Sequence, residues 1–372
     1  MNWKYIQPVK IRFGIGCRSK LLEEIKSIDG TNGLLISSPS FEKRGMTDEL
    51  IRLSDGTIKH VFSRVTPNPD VAECEACVKI LRENNCDFVV ALGGGSVMDC
   101  AKAASVFCTP DVPSANYLAY GCRIPATRLP LIAMPTTSGT GSEVTCVSVL
   151  SDHSRGIKAP LSSDSFYPIA ALIDPELTLT VSPYTTACTG FDVLCHAIEA
   201  YWSIHHQPIC DALALQAARL VMSNLLQAYN HPDCIEAREK MAEASVIAGL
   251  AFTMPKTTSA HACSYPLTNQ LGIPHGEACA LTIVSFLLFN HNHGCERIRT
   301  LAKELGFDDV TKLAEAIERM KSATGMRRDL RDFHLTDSQF EELVRESMHP
   351  NMKNNPVEVS ENDVRVIYTS MR

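Results

Sequence analysis

The chain has 372 residues, of which 45% are hydrophobic and 21% charged, and its formal net charge is -7. An acidic excess argues against a nucleic-acid binder, which carries a basic one, and no uninterrupted apolar run reaches the roughly 18 residues of a membrane span. The opening MNWKYIQPVKIRFGIG lacks the basic-then-apolar pattern of a secretory signal, so the expectation is a cytoplasmic protein with no nucleic-acid and no membrane partner.

In chain order, NGLLISSP (32–39) is a predicted strand. DVAECEACVKILRENN (70–85) is a predicted amphipathic helix with Asp70 as its N-cap. This helix holds one Cys-x-x-Cys, Cys74 and Cys77. A zinc site would require a second pair, and a redox motif opens a helix rather than sitting inside one, so the pair is read as structural. The 15 cysteines are odd in number and irregularly spaced, as at Cys100, Cys108, Cys122 and Cys146; they read as reduced thiols packed as small hydrophobes. DFVVALGGG (87–95) is a buried strand running into glycine, SVMDCAKAASVF (96–107) a helix, and LPLIAMPTTSGTGSE (129–143) again a strand followed by a glycine-rich loop. Strands alternating with helices require crossover connections, hence a parallel sheet.

From about Pro183 the texture changes to long Ala- and Leu-rich helical patterns, such as CDALALQAARLVMSNLLQAY, and strand-like runs largely vanish. The expected architecture is an α/β N-terminal domain with a parallel sheet over residues 1–182 and an all-α C-terminal domain over 183–372. Ser360 and Asp363 in VSENDVRVIY form a predicted capping box for the last helix.

GGGSVMDCAK (93–102) joins a buried strand to a helix. Either it is a tight turn, or its backbone N–H groups and helix N-terminus cradle a pyrophosphate; it is neither the dinucleotide GxGxxG fingerprint nor a Walker loop. TTSGTGSE (136–143) has the same two readings. Two such loops at strand carboxyl ends would converge on one crevice of an open parallel sheet.

The helix GFDVLCHAIEAYW (190–202) places Asp192 and His196 one turn apart on one face, among apolar neighbours and with no Lys or Arg. A buried unpaired carboxylate is costly, and a divalent cation would remove the cost. His261 and His275 lie in SAHACSYPLTNQLGIPHGEACA. Each histidine alone reads as a structural or surface residue before it reads as a ligand; together with Asp192 the three imidazoles suit iron(II), zinc or another first-row metal with an open position.

Taken together, RFGIGC (12–17), TPNPD (66–70), GGGSVMDCAK, PTTSGTGSEVT, IDPELT (173–178), GFDVLCHAIEA, IPHG and NNP (354–356) resemble, in that order and over essentially the whole chain, the iron-containing or group III alcohol dehydrogenases. The resemblance implies a dinucleotide-binding N-terminal domain, a helical metal-binding domain, and an active site between them. It implies Asp192, His196, His261 and His275 as ligands of one divalent metal, Fe2+ or Zn2+. Implied cofactor contacts are Asn68, Gly94, Gly95, Ser96, Asp99, Thr136, Thr137, Thr140, Ser142, Lys158 and Leu177. The implied reaction is hydride transfer between NAD(H), or NADP(H), and a short aldehyde or alcohol, in a homodimer or larger homo-oligomer.

Three departures from the family pattern stand out. Many members have a histidine four residues after the third ligand; here that residue is Tyr265, which or an ordered water would carry any proton relay. Many members carry an aspartate after the second strand that selects NAD; here the run is LLISSPSF, with Ser38 in that place. Finally, Lys256 lies five residues before His261 in FTMPKTTSAHACSYP, where small and apolar residues are usual. An ammonium near a divalent cation is unfavourable unless an anion joins them, so Lys256 is expected either to hold an anionic substrate head group, with Thr257 and Thr258, or to point to solvent or pair with a glutamate. The KTTSAHACSYPLT run resembles the branch that reduces sulfoacetaldehyde (to isethionate) or phosphonoacetaldehyde (to 2-hydroxyethylphosphonate). Alternatives are a short-chain alcohol dehydrogenase for neutral substrates, a non-redox metal enzyme resembling dehydroquinate synthase, and a non-catalytic protein on a retained fold.

Overall fold

The computed structural model describes every residue except Met1, Pro110, Asp111 and Tyr120. The chain forms two compact units. One comprises Ile6–Thr137 and Gly141–Thr178; the other comprises Leu179–Arg372 with Ser138–Thr140 and the N-terminal residues as far as Tyr5.

The first unit contains strands β1 (Lys10–Phe13), β2 (Gly33–Ser37), β3 (Ile58–Phe62), β4 (Phe88–Gly93), β5 (Leu131–Pro135), β6 (Val147–Asp152), β7 (Ile157–Ser162) and β8 (Ala170–Ile173). Its helices are α1 (Leu21–Lys26), α2 (Pro39–Lys43), α3 (Met46–Leu53), α4 (Val71–Glu83), α5 (Gly95–Phe107) and α6 (Ala115–Ala119). Six strands form a parallel sheet in the order β1-β8-β5-β4-β2-β3. The expected parallel sheet is therefore present, and β2, β4, β5, α4 and α5 fall where the periodicity places them. Asp70 caps α4 by accepting a hydrogen bond from the Ala72 N–H at 2.8 Å.

Both sheet faces are covered, as a parallel sheet requires. Leu34, Ile36, Val89, Ala91, Leu131 and Ala133 face one layer with Cys74, Cys77, Cys100 and the apolar sides of α4 and α5. Leu35, Val90, Leu92, Ile132, Met134 and Leu172 alternate to the other face, against Leu21, Ile25 and Leu50. Cys74 and Cys77 are free and buried, in keeping with a structural role, and the 15 cysteines are all free.

The antiparallel hairpin β6–β7 is not foreseen in the sequence. Its second strand contains Pro160, which cannot donate to a ladder and is tolerated because a two-stranded sheet is all edge. Gly156, at φ 64°, supplies the left-handed backbone of the connection.

β2 leads outward to β3, and the chain then returns across β2 to place β4 on its other side. The direction of winding reverses between β2 and β4. Ligands of open α/β sheets bind outside the strand carboxyl ends at such a switch point, and here those ends are Ser37 and Gly93.

The second unit is helical, with α7 (Pro183–Trp202), α8 (Pro208–Asn230), α9 (Ile235–Phe252), α10 (Ser259–Leu271), α11 (His275–Asn292), α12 (Glu296–Glu304), α13 (Val310–Ala323), α14 (Asp337–Glu346) and α15 (Glu361–Thr369). α7 is the axis: every residue from Gly190 to Trp202 is buried, as expected of a helix that is apolar nearly all round. By length and composition α8 could cross a membrane, the one such helix among the described residues. It buries Cys210, Ala214, Ala217, Ala218, Val221, Leu225 and Ala228 and packs against α7 and α9. The expected Ser360–Asp363 capping box starts α15.

Candidate functional site

In the α/β unit the sequence-predicted cofactor residues gather at the carboxyl ends of β4 and β5. Gly94 is the N-cap of α5, and Gly95 and Ser96 are its first residues. A Cβ on Gly94 would lie 3.2 Å from Thr137 Oγ1, so the two loops nearly touch. The Thr136 N–H donates to Gly93 O at 3.0 Å. Asn68, held at φ 57°, donates its N–H to Ser96 Oγ at 3.2 Å and accepts at Oδ1 from Lys158 Nζ at 3.1 Å. Ser142 Oγ donates to Asp99 Oδ1 at 3.0 Å. The first turn of α5, opened by Gly94, is a helix positive end at these strand carboxyl ends, suited to a pyrophosphate. Two predicted residues stand apart: Thr140 groups with the helical unit, and the Leu177 side chain is committed to the hydrophobic layer beneath α1 and α3.

Lys102, one turn beyond Asp99, was not singled out from sequence. Its buried ammonium donates to Ser142 Oγ (2.8 Å), Val147 O (2.9 Å) and Thr145 Oγ1 (3.1 Å), tying the glycine-rich loop to α5. Loss of solvation pushes it down to about 8 against the attraction of Asp99. Loss of solvation likewise pushes Asp99 up to about 6, with Lys102 opposing. The two buried groups restrain each other.

In the helical unit, Asp192, His196, His261 and His275 come together from α7, α10 and α11. Asp192 Oδ1 lies 3.4 Å from His261 Nε2, 3.7 Å from His275 Nε2 and 3.9 Å from His196 Nδ1. The His196 ring stacks between Phe252 (4.2 Å) and His261 (4.4 Å). Gly276 makes this convergence possible: a Cβ there would sit 2.0 Å from Cys188 O and 3.0 Å from Asp192 Cβ, so α11 can press against α7 only with glycine at that position.

Asp192 Oδ1, His196 Nδ1 and His261 Nε2 are buried and have no hydrogen-bond partner among the described residues. Orphaned buried polar atoms cost about 1–3 kcal/mol each, and three of them aimed at one point are what a cation site looks like from the protein side. The donor set fits a divalent metal. Asp192 is held well below the usual carboxylate range: burial opposes ionisation, but His196, His275 and His261 outweigh it. Burial pushes His196 down to about 4, leaving a neutral imidazole able to ligate. The side chains of Asp192, His196 and His261 are 4%, 7% and 3% exposed, whereas that of His275 is 38% exposed, so the site opens on the His275 side.

Two residues here escaped the sequence reading. Glu199 is buried on the same stripe of α7, seven residues after Asp192. Its Oε1 accepts from Ala260 N (2.7 Å), Thr258 Oγ1 (2.8 Å) and His261 N (3.3 Å), and its Oε2 is bonded to His261 Nδ1. This carboxylate holds the His261 proton on Nδ1 and turns Nε2 toward Asp192, the outer-shell arrangement that orients ligating histidines. Cys279 is the second, one turn after His275; its Sγ lies 3.9 Å from His275 Nε2. Both residues repeat the i, i+4 or i, i+7 spacing that exposed the Asp192–His196 pair, so the signal was present in the sequence.

Tyr265 lies on α10 with its ring 6.3 Å from that of His275 and 4.5 Å from that of His349. Burial raises its phenol above the ordinary value, so its hydroxyl keeps its proton at neutral pH. Lys256 is exposed at φ 62° and makes no ion pair among the described residues. Its neighbours are fixed: Ser203 Oγ donates to Pro255 O (2.7 Å), Asn351 Nδ2 to Thr257 Oγ1 (2.9 Å) and Trp202 Nε1 to Thr258 Oγ1 (2.7 Å).

Comparison with known proteins agrees with this geometry. Residues 8–175 match the family model for iron-containing alcohol dehydrogenase, and residues 186–371 match the C-terminal model of the same family. A crystal structure of sulfoacetaldehyde reductase from Bifidobacterium kashiwanohense in complex with NAD+ is 50% identical, with a TM-score of 0.98, over 100% of this chain and 99% of that one. Sulfoacetaldehyde reductase from Bilophila wadsworthia is 33% identical, covering 86% of this chain and 83% of the relative. Long-chain-alcohol dehydrogenase 1 from Geobacillus thermodenitrificans is also 33% identical, over 98% and 95%. Both halves of the chain, the doubly wound sheet and the convergent Asp/His set lead to one assignment: the chain is an oxidoreductase that belongs to the iron-containing alcohol dehydrogenase family.

Proposed function

We propose that the protein catalyses NAD(P)H-linked reduction of a short aldehyde bearing an anionic head group, sulfoacetaldehyde or phosphonoacetaldehyde, to the corresponding alcohol. The observation that carries the metal-dependent part is the set of three orphaned buried atoms on Asp192, His196 and His261, with His275 completing the ligands. A divalent cation held there supplies Lewis-acid polarisation of the carbonyl oxygen.

The chain's own residues do the rest. Gly94, Gly95, Ser96 and the 136–142 loop hold the dinucleotide, and Asn68, Asp99 and Lys158 orient it. Glu199 keeps His261 in the ligating tautomer. Tyr265, its ring 6.3 Å from that of His275, keeps a phenolic proton to give to the alkoxide oxygen that hydride transfer leaves. Ser38, the N-cap of α2 at the end of β2, carries no charge to repel a 2′-phosphate, which leaves NADPH usable beside NADH; the 50% identical structure holds NAD+.

The anionic head group rests on Lys256. A non-glycine residue in the left-handed region costs about 1 kcal/mol, and here it holds, five residues from His261, an ammonium with no ion-pair partner among the described residues, on a loop whose neighbours are locked. The two sulfoacetaldehyde reductase relatives support the same substrate class. A second reading, a neutral short-chain alcohol substrate, is favoured by relatives named 1-propanol dehydrogenase, 40% identical over 66% of this chain in Salmonella typhimurium. The enzyme is further proposed to be a cytoplasmic homodimer or larger assembly, its domains dividing near residue 182.

Oxidation of NADH and NADPH should be followed with sulfoacetaldehyde, phosphonoacetaldehyde and propanal, after reconstitution with Fe2+ or Zn2+. Lys256→Ala should raise KM for the anionic aldehydes about 10-fold or more, the worth of a charged hydrogen bond, and leave propanal unchanged. Equal effects on all three would remove Lys256 from substrate binding.

A further inference from the structure

We propose that His349 is a specificity-determining residue: its Nε2–H donates to an oxygen of the sulfonate or phosphonate head group, as a second donor in addition to the Lys256 ammonium. This rests on the anionic-substrate reading above and adds an uncharged donor to it.

His349 precedes the single helical turn Pro350–Asn354. Its ring packs 4.5 Å from that of Tyr265, which in turn lies 6.3 Å from that of His275. One aromatic ring thus separates His349 from a ligand of the metal, on the His275 side where the site is open. A substrate whose carbonyl oxygen reaches the metal has its far end toward that opening. In sulfoacetaldehyde and phosphonoacetaldehyde that far end is the anion.

The Lys256 loop is tied to the same segment. Asn351 Nδ2 donates to Thr257 Oγ1 and Asn354 Nδ2 to Thr257 O, both at 2.9 Å. The Lys256 N–H donates to Phe252 O at 2.7 Å, and the Phe252 ring stacks on His196 at 4.2 Å. From the metal ligands, one line of contacts runs through Phe252 to Lys256 and another through Tyr265 to His349. The Thr257–Asn351 bond joins the two, so both residues belong to the rim of one site.

The His349 ring has a defined donor. The Asn351 N–H donates to Nδ1 at 3.2 Å. A backbone amide can only donate, so Nδ1 carries the lone pair and the neutral ring holds its proton on Nε2. Among the described residues Nε2 has no hydrogen-bond partner. Loss of solvation lowers His349 below the ordinary histidine value, so the ring is neutral at pH 7. A half-buried N–H with its tautomer fixed is preorganised for an anion and has nothing to bind at the alkyl end of propanal. Capping the turn that begins at Pro350 uses Nδ1 alone and leaves Nε2 without a task.

The test uses the full-length protein reconstituted with Fe2+ or Zn2+, with sulfoacetaldehyde, phosphonoacetaldehyde and propanal as substrates. His349→Phe keeps a ring against Tyr265 and removes the donor. His349→Asn keeps an acceptor for the Asn351 N–H and an N–H donor; His349→Asp keeps the acceptor and replaces the donor with a negative charge. The ratio of KM for the anionic aldehydes to KM for propanal should rise about 10-fold in His349→Phe, the worth of a hydrogen bond to a charged group. The rise should be larger in His349→Asp and smallest in His349→Asn. Saturation-transfer NMR of ethanesulfonate, which carries the head group without a carbonyl, should show binding to the wild type that His349→Phe weakens. A folded His349→Phe protein with the wild-type ratio overturns the role of His349 and leaves the anionic-substrate reading standing. Should that variant not fold, equal ratios in the near-isosteric Asn and Asp variants overturn it. A wild-type protein that turns over propanal as efficiently as both anionic aldehydes overturns the substrate reading and this inference together.

Discussion

Glu199→Gln isolates the residue that aims His261. In the wild type three donors, Ala260 N, Thr258 Oγ1 and His261 N, converge on Oε1 while His261 Nδ1 faces Oε2. The glutamine oxygen must take the Oε1 place, because an NH2 group there would face three donors. Its NH2 group then faces His261 Nδ1. Two N–H groups cannot share that contact, so the imidazole proton shifts to Nε2, where it meets Asp192 Oδ1 at 3.4 Å and no lone pair remains for a cation. Outer-shell substitutions of this kind lower metal affinity about 10- to 100-fold, or about 1.4–2.8 kcal/mol. The assay is zinc affinity by chelator competition, with urea unfolding of the metal-free protein to establish that the fold is kept. A folded Glu199→Gln protein with wild-type zinc affinity would refute the positioning role.

Other consequences follow from the packing and the buried groups. Gly276→Ala places a Cβ 2.0 Å from a backbone carbonyl that cannot rotate away; a loss of about 3 kcal/mol in urea unfolding, with zinc stoichiometry well below one, is expected, and wild-type values for both would contradict the account of α7–α11 packing. Burial pushes the thiols of Cys86 and Cys210 up to about 11 and those of Cys188 and Cys263 up to about 12. Their stabilisation is complete below the ordinary thiol value of about 8.5 and is lost as pH rises toward the folded values, at up to about 1.4 kcal/mol per thiol per pH unit. Lys102, pushed down to about 8, and Lys158, lowered by burial, work in the opposite sense, but these two lysines are set against the four thiols and against those of Cys17 and Cys108, raised by burial in the same way. The urea midpoint should therefore fall between about pH 8.5 and 10, and a flat or rising midpoint would count against thiol burial. Ser38→Asp should shift preference from NADPH toward NADH on the order of 10-fold, about 1.4 kcal/mol, in kcat/KM, and no shift would separate Ser38 from the adenosine ribose.

Much was legible without tertiary structure because its causes are local. The runs around Leu34, Val90 and Ile132 are apolar enough to be central strands, Asp70 and Ser360 announce helix starts, and Asp192 and His196 betray a polar pair on an apolar helix through spacing alone. The motifs also revealed the family, since they recur in order along the chain. The hairpin from Val147 to Ser162 stayed hidden because Pro160 reads as a strand breaker until its edge position is known, β1 and β8 are too short to carry a pattern of their own, and β3 interrupts its apolar run with Lys59 and His60.

What only folding decides is which distant residues share a point. Glu199 stands on the Asp192 stripe, yet nothing in the linear chain says that His261, 62 residues later, lies against it. Cys279 follows His275 by one turn, but its closeness to Asp192 depends on the absence of a single Cβ at Gly276. Short-range periodicity dictates what each helix face carries; the packing of one helix on another, set by volume and close approach, dictates which faces meet and so which atoms can bind one ion.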